Sequence, residues 1–279
     1  MSDGKRYWSI TEGAFNCLID EKRTKTFRQA IMDSISQGDV VVDAGSGTGI
    51  LALFAAEAGA KLVYAIESDP HYFPGLRESI RLNGFGDRIK LMKADVTTAV
   101  LPESVDVIIC EMTATGLIEE LQVPAMNNLL KYGKKKVKVV LSAFENYVDL
   151  VQNNDLFYNH RLKIIRYEYP GEETLKSRPL TETVKYAQVN FSTPIRSSAI
   201  NCHMILTINR GGVVNGMRIS SKSIFYNGTV FDASFAYSYP IILPLDDILV
   251  SAGQRFSVEI SYIMCAGLKH LRYAVSRCE

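Results

Sequence analysis

The chain has 279 residues, 47% hydrophobic and 22% charged, the balance of a folded globular protein rather than a disordered or low-complexity one. Its formal net charge of +1 provides no global field to draw nucleic acid or an anionic membrane. Its five cysteines show no CxxC or metal-ligand spacing, and the chain carries neither a signal-peptide core nor an apolar run near the ~20 residues of a membrane span, so a cytoplasmic protein with reduced thiols and no membrane contact is expected.

In chain order, Phe27 to Ile35 reads as a helix, Val40 to Gly45 as a buried strand, and Ile50 to Ala58 as a helix. Lys61 to Glu67 is the next strand, Tyr72 to Leu82 a helix, and Ile89 to Asp95 a third strand. Val105 to Cys110 and Val137 to Ser142 complete the set. Short apolar, β-branched strands alternating with helices predict a parallel sheet covered on both faces. Beyond residue 145 the pattern changes to short strands rich in Tyr, Phe, Val, Ile and Ser, broken by Gly, Pro and Asn. The expected architecture is therefore α/β: a Rossmann-like domain over residues 1–145, then an antiparallel β-barrel or sandwich over 146–279. Tyr167 to Pro179 reads as the most exposed loop.

The chemistry starts at Asp43-Ala44-Gly45-Ser46-Gly47-Thr48-Gly49, directly after the first strand and opening a helix. In a parallel α/β sheet, ligands bind at the carboxyl ends of the strands. The spacing is GxGxG rather than the dinucleotide GxGxxG, which argues against a pyrophosphate and an NAD-type cofactor. Glu67 ends the second strand, where a carboxylate can accept both hydroxyls of a ribose; Asp95 ends the third, where it can meet an adenine or its ribose edge. This is the usual arrangement for S-adenosylmethionine (SAM). Asp43, Gly45, Gly47, Gly49, Glu67 and Asp95 are accordingly candidate cofactor residues.

After the fourth strand comes Cys110-Glu111-Met112, and then a loop that ends in Glu119-Glu120. The (Asp/Asn)-Pro-Pro-(Tyr/Phe) motif of methyltransferases acting on exocyclic base nitrogens is absent. Two carboxylates, Glu111 and Glu120, bracket the loop instead. Together they could clamp a planar guanidinium through bidentate hydrogen bonds, although a strand-end acid and a solvated helix residue would look the same in sequence.

The segment Asp20-Glu21-Lys22-Arg23-Thr24-Lys25-Thr26-Phe27, the glycine turn, Phe54 to Ala60, Val63 to Glu67 and the Glu111/Glu120 loop together resemble the protein arginine methyltransferases. The resemblance is good over roughly residues 7–145 and weak beyond. It implies that Arg23 pairs with the SAM methionine carboxylate and Glu67 with the ribose, and that Glu111 and Glu120 are the paired arginine-binding glutamates. It also implies a protein arginine substrate.

The departures are specific. The family's tyrosine-rich N-terminal segment is reduced to Tyr7-Trp8-Ser9-Ile10. Its histidine upstream of the first helix falls near Ala14, its active-site methionine near Cys17, and its Thr-His-Trp loop at Ala236-Tyr237-Ser238. Tyr158 to Phe191 is too short and polar for the helical dimerisation arm, so a monomer, or a dimer without that arm, is expected. Methylation of RNA or a small molecule, or SAM binding with little catalysis, stays open. His71 reads as a solvated cap-region residue, Lys134-Lys135-Lys136 as a charged turn or a phosphate contact, and Trp8 as a cover or a plug. Tyr237 and Tyr239 could line an acceptor pocket or simply pack.

Overall fold

The computed structural model describes residues 11–278, so the expectations for Tyr7 to Ile10, Trp8 included, fall outside the described residues. Two helices come first, α1 (Thr11–Ile19) and α2 (Glu21–Ser34). Asp20 separates them and caps α2, its carboxylate accepting from the Arg23 backbone N–H at 3.1 Å. Arg23, Phe27, Ala30, Ile31 and Ser34 follow at helical spacing and form the buried face of α2.

The first sheet is built from β1 (Val40–Ala44), β2 (Leu62–Glu67), β3 (Ile89–Lys93), β4 (Val105–Cys110) and β5 (Gly133–Val139), interleaved with α3 (Ile50–Glu57), α4 (Phe73–Leu82) and α5 (Gln122–Leu129). Its five strands are parallel in the order β3-β2-β1-β4-β5. The order reverses between β1 and β4, and such a switch point opens a crevice at the carboxyl ends of the strands. Every residue of β1 is buried, as a strand covered on both faces requires. The lysine run differs from expectation. Lys134 to Lys136 lie within the exposed edge strand β5 rather than in a turn, and Lys134 pairs with Asp106 at 2.7 Å.

After Val140 the chain turns antiparallel. The strands are β6 (Leu141–Gln152), β7 (Leu156–Phe157), β8 (His160–Arg161), β9 (Arg166–Tyr167), β10 (Arg178–Pro179), β11 (Val184–Asn190), β12 (Ala199–Thr207), β13 (Gly212–Phe225), β14 (Val230–Phe231), β15 (Ile241–Val250), β16 (Arg255–Ile263) and β17 (Arg272–Arg277). One sheet runs β10-β6-β13-β15-β9, with β11 also on β6 and β14 on β13; another runs β12-β16-β17. Their inner faces share one core, where Phe144, Val148, Met217 and Phe256 meet Ile66 and Ile108 of the parallel sheet. The pairings close no barrel among the described residues, so of the barrel-or-sandwich expectation the open, layered form is the one found. A second core joins Phe27, Ile31, Ala55 and Val107 to Phe225 and Tyr237.

The expected exposed loop from Tyr167 to Pro179 is found, mostly exposed and pinned at its two ends. Tyr167 pairs with Ile241, Glu173–Leu175 form a 3-10 turn, and Pro179 pairs with Val151. No α-helix interrupts residues 158–191. No helix among the described residues is long and apolar enough to cross a membrane.

Candidate active site

The strand register brings three sequence-distant positions to one edge. Ala44 is level with Ile66 on one side and Cys110 on the other. The glycine turn, Glu67 and Glu111 therefore leave the sheet side by side. Gly45, Gly47 and Gly49 have φ of 70°, 51° and 83°, the left-handed region that side-chain-bearing residues avoid. At Gly49 a Cβ would also fall 2.2 Å from Leu76 Cδ1, so this glycine both starts α3 and admits α4. A cavity of about 330 Å³ lined by Gly47, Thr48, Tyr72 and Leu76, among others, opens beside the turn.

Glu67 is held by backbone donors. Its Oε2 accepts from Gly47 N–H at 2.9 Å, and its Oε1 from Ser68 and Asp69 N–H at 2.8 and 2.9 Å. This carboxylate is thereby aimed at the glycine turn. Asp95 is arranged differently. It is exposed, and its Oδ1 accepts from Thr97 N–H and Oγ1 at 2.9 and 2.7 Å, tying it to its own turn rather than to the glycine turn.

Asp43 is 1% exposed, and desolvation, with the Glu67 charge adding, pushes its carboxyl up to about 7. Asp43 Oδ2 and Arg23 Nε are buried without a hydrogen-bond partner among the described residues. One is an acceptor and the other a cationic donor. Such groups cost about 1–3 kcal/mol each unless something pairs with them. A zwitterion carrying an ammonium and a carboxylate has the complementary pair of groups.

Arg23 was expected to face a ligand carboxylate. Its Nη2 ion-pairs with Glu111 Oε2, with both side chains buried. Its Nη1 donates to Cys17 O at 3.2 Å, and its guanidinium stacks 5.1 Å from the Phe27 ring. Glu111 Oε1 in turn accepts from Thr113 N–H and Oγ1 at 3.3 and 3.1 Å. Burial, with Glu111 adding, pushes the Cys17 thiol up to about 11, so it stays protonated and is no nucleophile.

Glu120 is the least supported of the carboxylates. Its side chain reaches solvent and has no hydrogen bond or ion pair to a described residue. Crowding of the cleft nevertheless desolvates it, and together with the charges of Glu111 and Glu119 pushes it up to about 8. Glu111 and Glu120 therefore sense each other across the loop, and that loop is buried from Thr115 to Ile118. Glu119 accepts from the Tyr167 hydroxyl at 2.9 Å.

The C-terminal half supports this site through contacts that the sequence reading did not assign. Asp20 Oδ2 accepts from Ser234 Oγ at 2.6 Å and Ala236 N–H at 2.7 Å, pinning the 232–240 loop to the start of α2. Tyr237, at the position of the family's loop histidine, is buried, its hydroxyl 3.2 Å from Thr113 Oγ1 and 2.5 Å from Ser223 Oγ. Only the D-x-x-R spacing hinted at Asp20. His71 is exposed and paired with Asp69 at 2.7 Å, as a cap-region histidine would be.

Comparison with known proteins gives four findings. The TRM5/TYW2 methyltransferase domain family matches residues 19–127. The uncharacterised protein MJ1452 of Methanocaldococcus jannaschii is 31% identical over 257 residues, spanning 91% of this chain and 92% of its own. The probable protein arginine N-methyltransferase 6 of Arabidopsis thaliana is 42% identical over 105 residues, which span 37% of this chain but only 24% of the relative. Among solved structures, the Trypanosoma brucei PRMT1 enzyme–prozyme heterotetrameric complex with AdoHcy superposes with a TM-score of 0.76 at 19% identity, covering 94% of this chain and 96% of that one.

Proposed function

This chain belongs to the same family as MJ1452 and is a SAM-dependent methyltransferase resembling the arginine methyltransferases, and from that premise we propose that its methyl acceptor is the guanidinium of a protein arginine. The observation that carries the proposal is the pair Glu111 and Glu120 at the two ends of a buried loop, Glu111 tied to Arg23 and Glu120 without a hydrogen bond or ion pair among the described residues. A guanidinium offers five donors in one plane and carries the charge that Glu120 lacks among the described residues.

In this reading Arg23, Asp43, Gly45, Gly47, Gly49, Glu67 and Asp95 hold the cofactor. The unpaired Arg23 Nε suits the carboxylate of the methionine part, and Asp43 Oδ2 its ammonium. Glu67, already oriented by Gly47, retains lone pairs for ribose hydroxyls. Bound SAM supplies an electrophilic methyl group on a sulfonium centre. The protein supplies orientation and charge: Glu111 and Glu120 grip the guanidinium N–H groups and localise its positive charge away from the attacking nitrogen. Methylation of a guanidinium releases one proton, and in this reading it passes to Glu120, which the bound cation holds in its ionised form.

The proposed organisation is a cofactor unit over residues 1–145 and a substrate-facing β unit over 146–279. The region that holds a helical arm in the family is here a short hairpin, Leu156 to Arg161, which supports a monomer or a dimer without that arm. An intracellular, cytoplasmic setting accords with the five free cysteines.

Glu67→Ala should weaken SAM binding by about 1–3 kcal/mol through the lost hydrogen bonds. Isothermal titration giving wild-type affinity would remove Glu67 from the cofactor site. The acceptor class is tested by incubating the protein with methyl-labelled SAM and a lysate, then digesting with protease or nuclease. Label released as methylarginine by protease supports the proposal. Label released by nuclease, or label on a small molecule, assigns the same scaffold to another acceptor.

A further inference from the structure

The loop that joins Glu111 to Glu120 is held at its start and in its middle by different halves of the chain. At the start, Gln122 grips the backbone: its Oε1 accepts from Met112 N–H at 2.9 Å and its Nε2 donates to Cys110 O at 3.0 Å. The middle is harder to keep in place, because Gly116 and Leu117 both take left-handed φ, 71° and 55°. Leu117 bears a side chain, so this shape is locally disfavoured and persists only where surrounding contacts impose it.

Those contacts come from the C-terminal half. Gly116 N–H donates to Ser221 Oγ at 2.9 Å, and the Ser221 hydroxyl donates to Asn146 Oδ1 at 2.8 Å. Gly116 O accepts from the buried Tyr262 hydroxyl at 2.7 Å, and that hydroxyl lies 3.0 Å from the hydroxyl of Tyr186. A carbonyl cannot donate, so the single Tyr262 proton points at Gly116 and Tyr186 must donate to Tyr262. The result is one directed chain from β11 through β16 to the loop, each link polarising the next. Cys265 and Gly267 N–H add bonds of 2.8 Å each to the Leu117 and Ile118 carbonyls. Beyond Ile118, Glu119 meets Tyr167, and Glu120 has no hydrogen bond or ion pair to a described residue. The place of Glu120 is therefore inherited from the backbone before it.

We propose that Tyr262, oriented by Tyr186, is a positioning residue for methyl transfer, fixing the Gly116 peptide and through it the place of Glu120 relative to Glu111. The proposal rests on the acceptor reading of these two glutamates. Tyr262 acts through the loop alone, since its proton is held by Gly116 O.

A merely structural tyrosine pair would leave a less stable protein with unchanged chemistry, so the test reads the chemistry. Tyr262→Phe keeps the ring and removes the hydroxyl. It should lower kcat on an arginine peptide by roughly ten- to a hundredfold, the scale of a small misplacement of an aligned group, while affinity for S-adenosylhomocysteine stays at the wild-type value. A second readout needs no acceptor. Desolvation holds the Glu120 carboxyl high, with Glu111 and Glu119 adding and Arg23 opposing. A loosened loop admits water and lets Glu120 draw away from Glu111, so its carboxyl carbon resonance, identified by its loss in Glu120→Gln, should titrate at lower pH in Tyr262→Phe than in the wild type. Tyr186→Phe keeps the Tyr262 bond and removes its backing; it should move both readouts the same way by less, and it decides the matter if Tyr262→Phe does not fold. Val258→Ala, a cavity in the core on the same strand, should lower stability and leave both readouts unmoved. An unchanged kcat, or a Glu120 resonance that does not shift, overturns the positioning role. A wild type that leaves the peptide unmethylated sinks the acceptor reading, and the resonance alone then decides whether Tyr262 places Glu120.

Discussion

Glu120→Gln is expected to cut turnover on an arginine peptide by roughly a hundred- to a thousandfold, the loss typical of removing one charged or hydrogen-bonding group aimed at the transition state. The substitution preserves shape and removes one negative charge. Because Glu120 has no hydrogen bond or ion pair within the described structure, little of the fold depends on it. SAM affinity should therefore stay near the wild-type value while the chemical step collapses, a split that titration and single-turnover kinetics separate. Glu111→Gln should abolish turnover to a similar extent but with a second consequence. Arg23 is buried beside Glu111, and breaking such a pair from one side typically costs about 3–5 kcal/mol, because the remaining charge is left without compensation. That variant should unfold earlier in denaturant and bind SAM more weakly. Undiminished methyl transfer by Glu120→Gln would refute the paired-glutamate clamp.

The second large effect is on pH dependence. Glu120 titrates near 8 because desolvation, followed by the charges of Glu111 and Glu119, disfavours its ionised form. Only the ionised form can grip a cation, so kcat/KM should rise with pH and level off above about 8. Two units below the midpoint only about one part in a hundred is ionised, so the loss there is roughly a hundredfold. Asp43, which titrates near 7, adds a lower limb through cofactor binding. The two are separable: Glu120→Gln should erase the upper limb and leave the lower one. In the complex, the bound guanidinium favours the charged carboxylate, so the kcat profile should break at lower pH than kcat/KM. A flat kcat/KM profile between pH 6 and 9 in the wild type would contradict the assignment.

The cofactor half of the site was legible because it depends on local rules. A buried strand, a glycine turn and a helix occur within 18 residues of sequence, Val40 to Glu57, and parallel register then brings the ends of β1, β2 and β4 together. Any strand-end residue there, such as Glu67 or Glu111, inherits a place at the crevice. Asp95 also follows a strand end, and its Oδ1 accepts from Thr97 in an Asx turn, a local contact that is hard to weigh from sequence.

What the sequence could not convey was the tertiary support. Asp20 meets Ser234 and Ala236 more than 200 positions away, and Tyr237 meets Thr113 across 124. No periodicity records contacts of that kind. The loss of the family's loop histidine therefore looked like the loss of support, whereas the same loop is tied down by Asp20 and Tyr237. The lysine run was misjudged for a related reason: a dense run of charge resembles a turn even when an edge strand organises it. Arg23 was read as a ligand-facing cation, and its direct pairing with Glu111 couples the cofactor and acceptor halves in a way that spacing alone did not suggest.

The most direct test of the arginine assignment is mass spectrometry of an arginine peptide after incubation with SAM and the enzyme. The account predicts methyl groups on guanidinium nitrogens, present with the wild type and absent with Glu120→Gln. An unmodified peptide, from an enzyme preparation that methylates RNA or a metabolite when lysate is added, would contradict it.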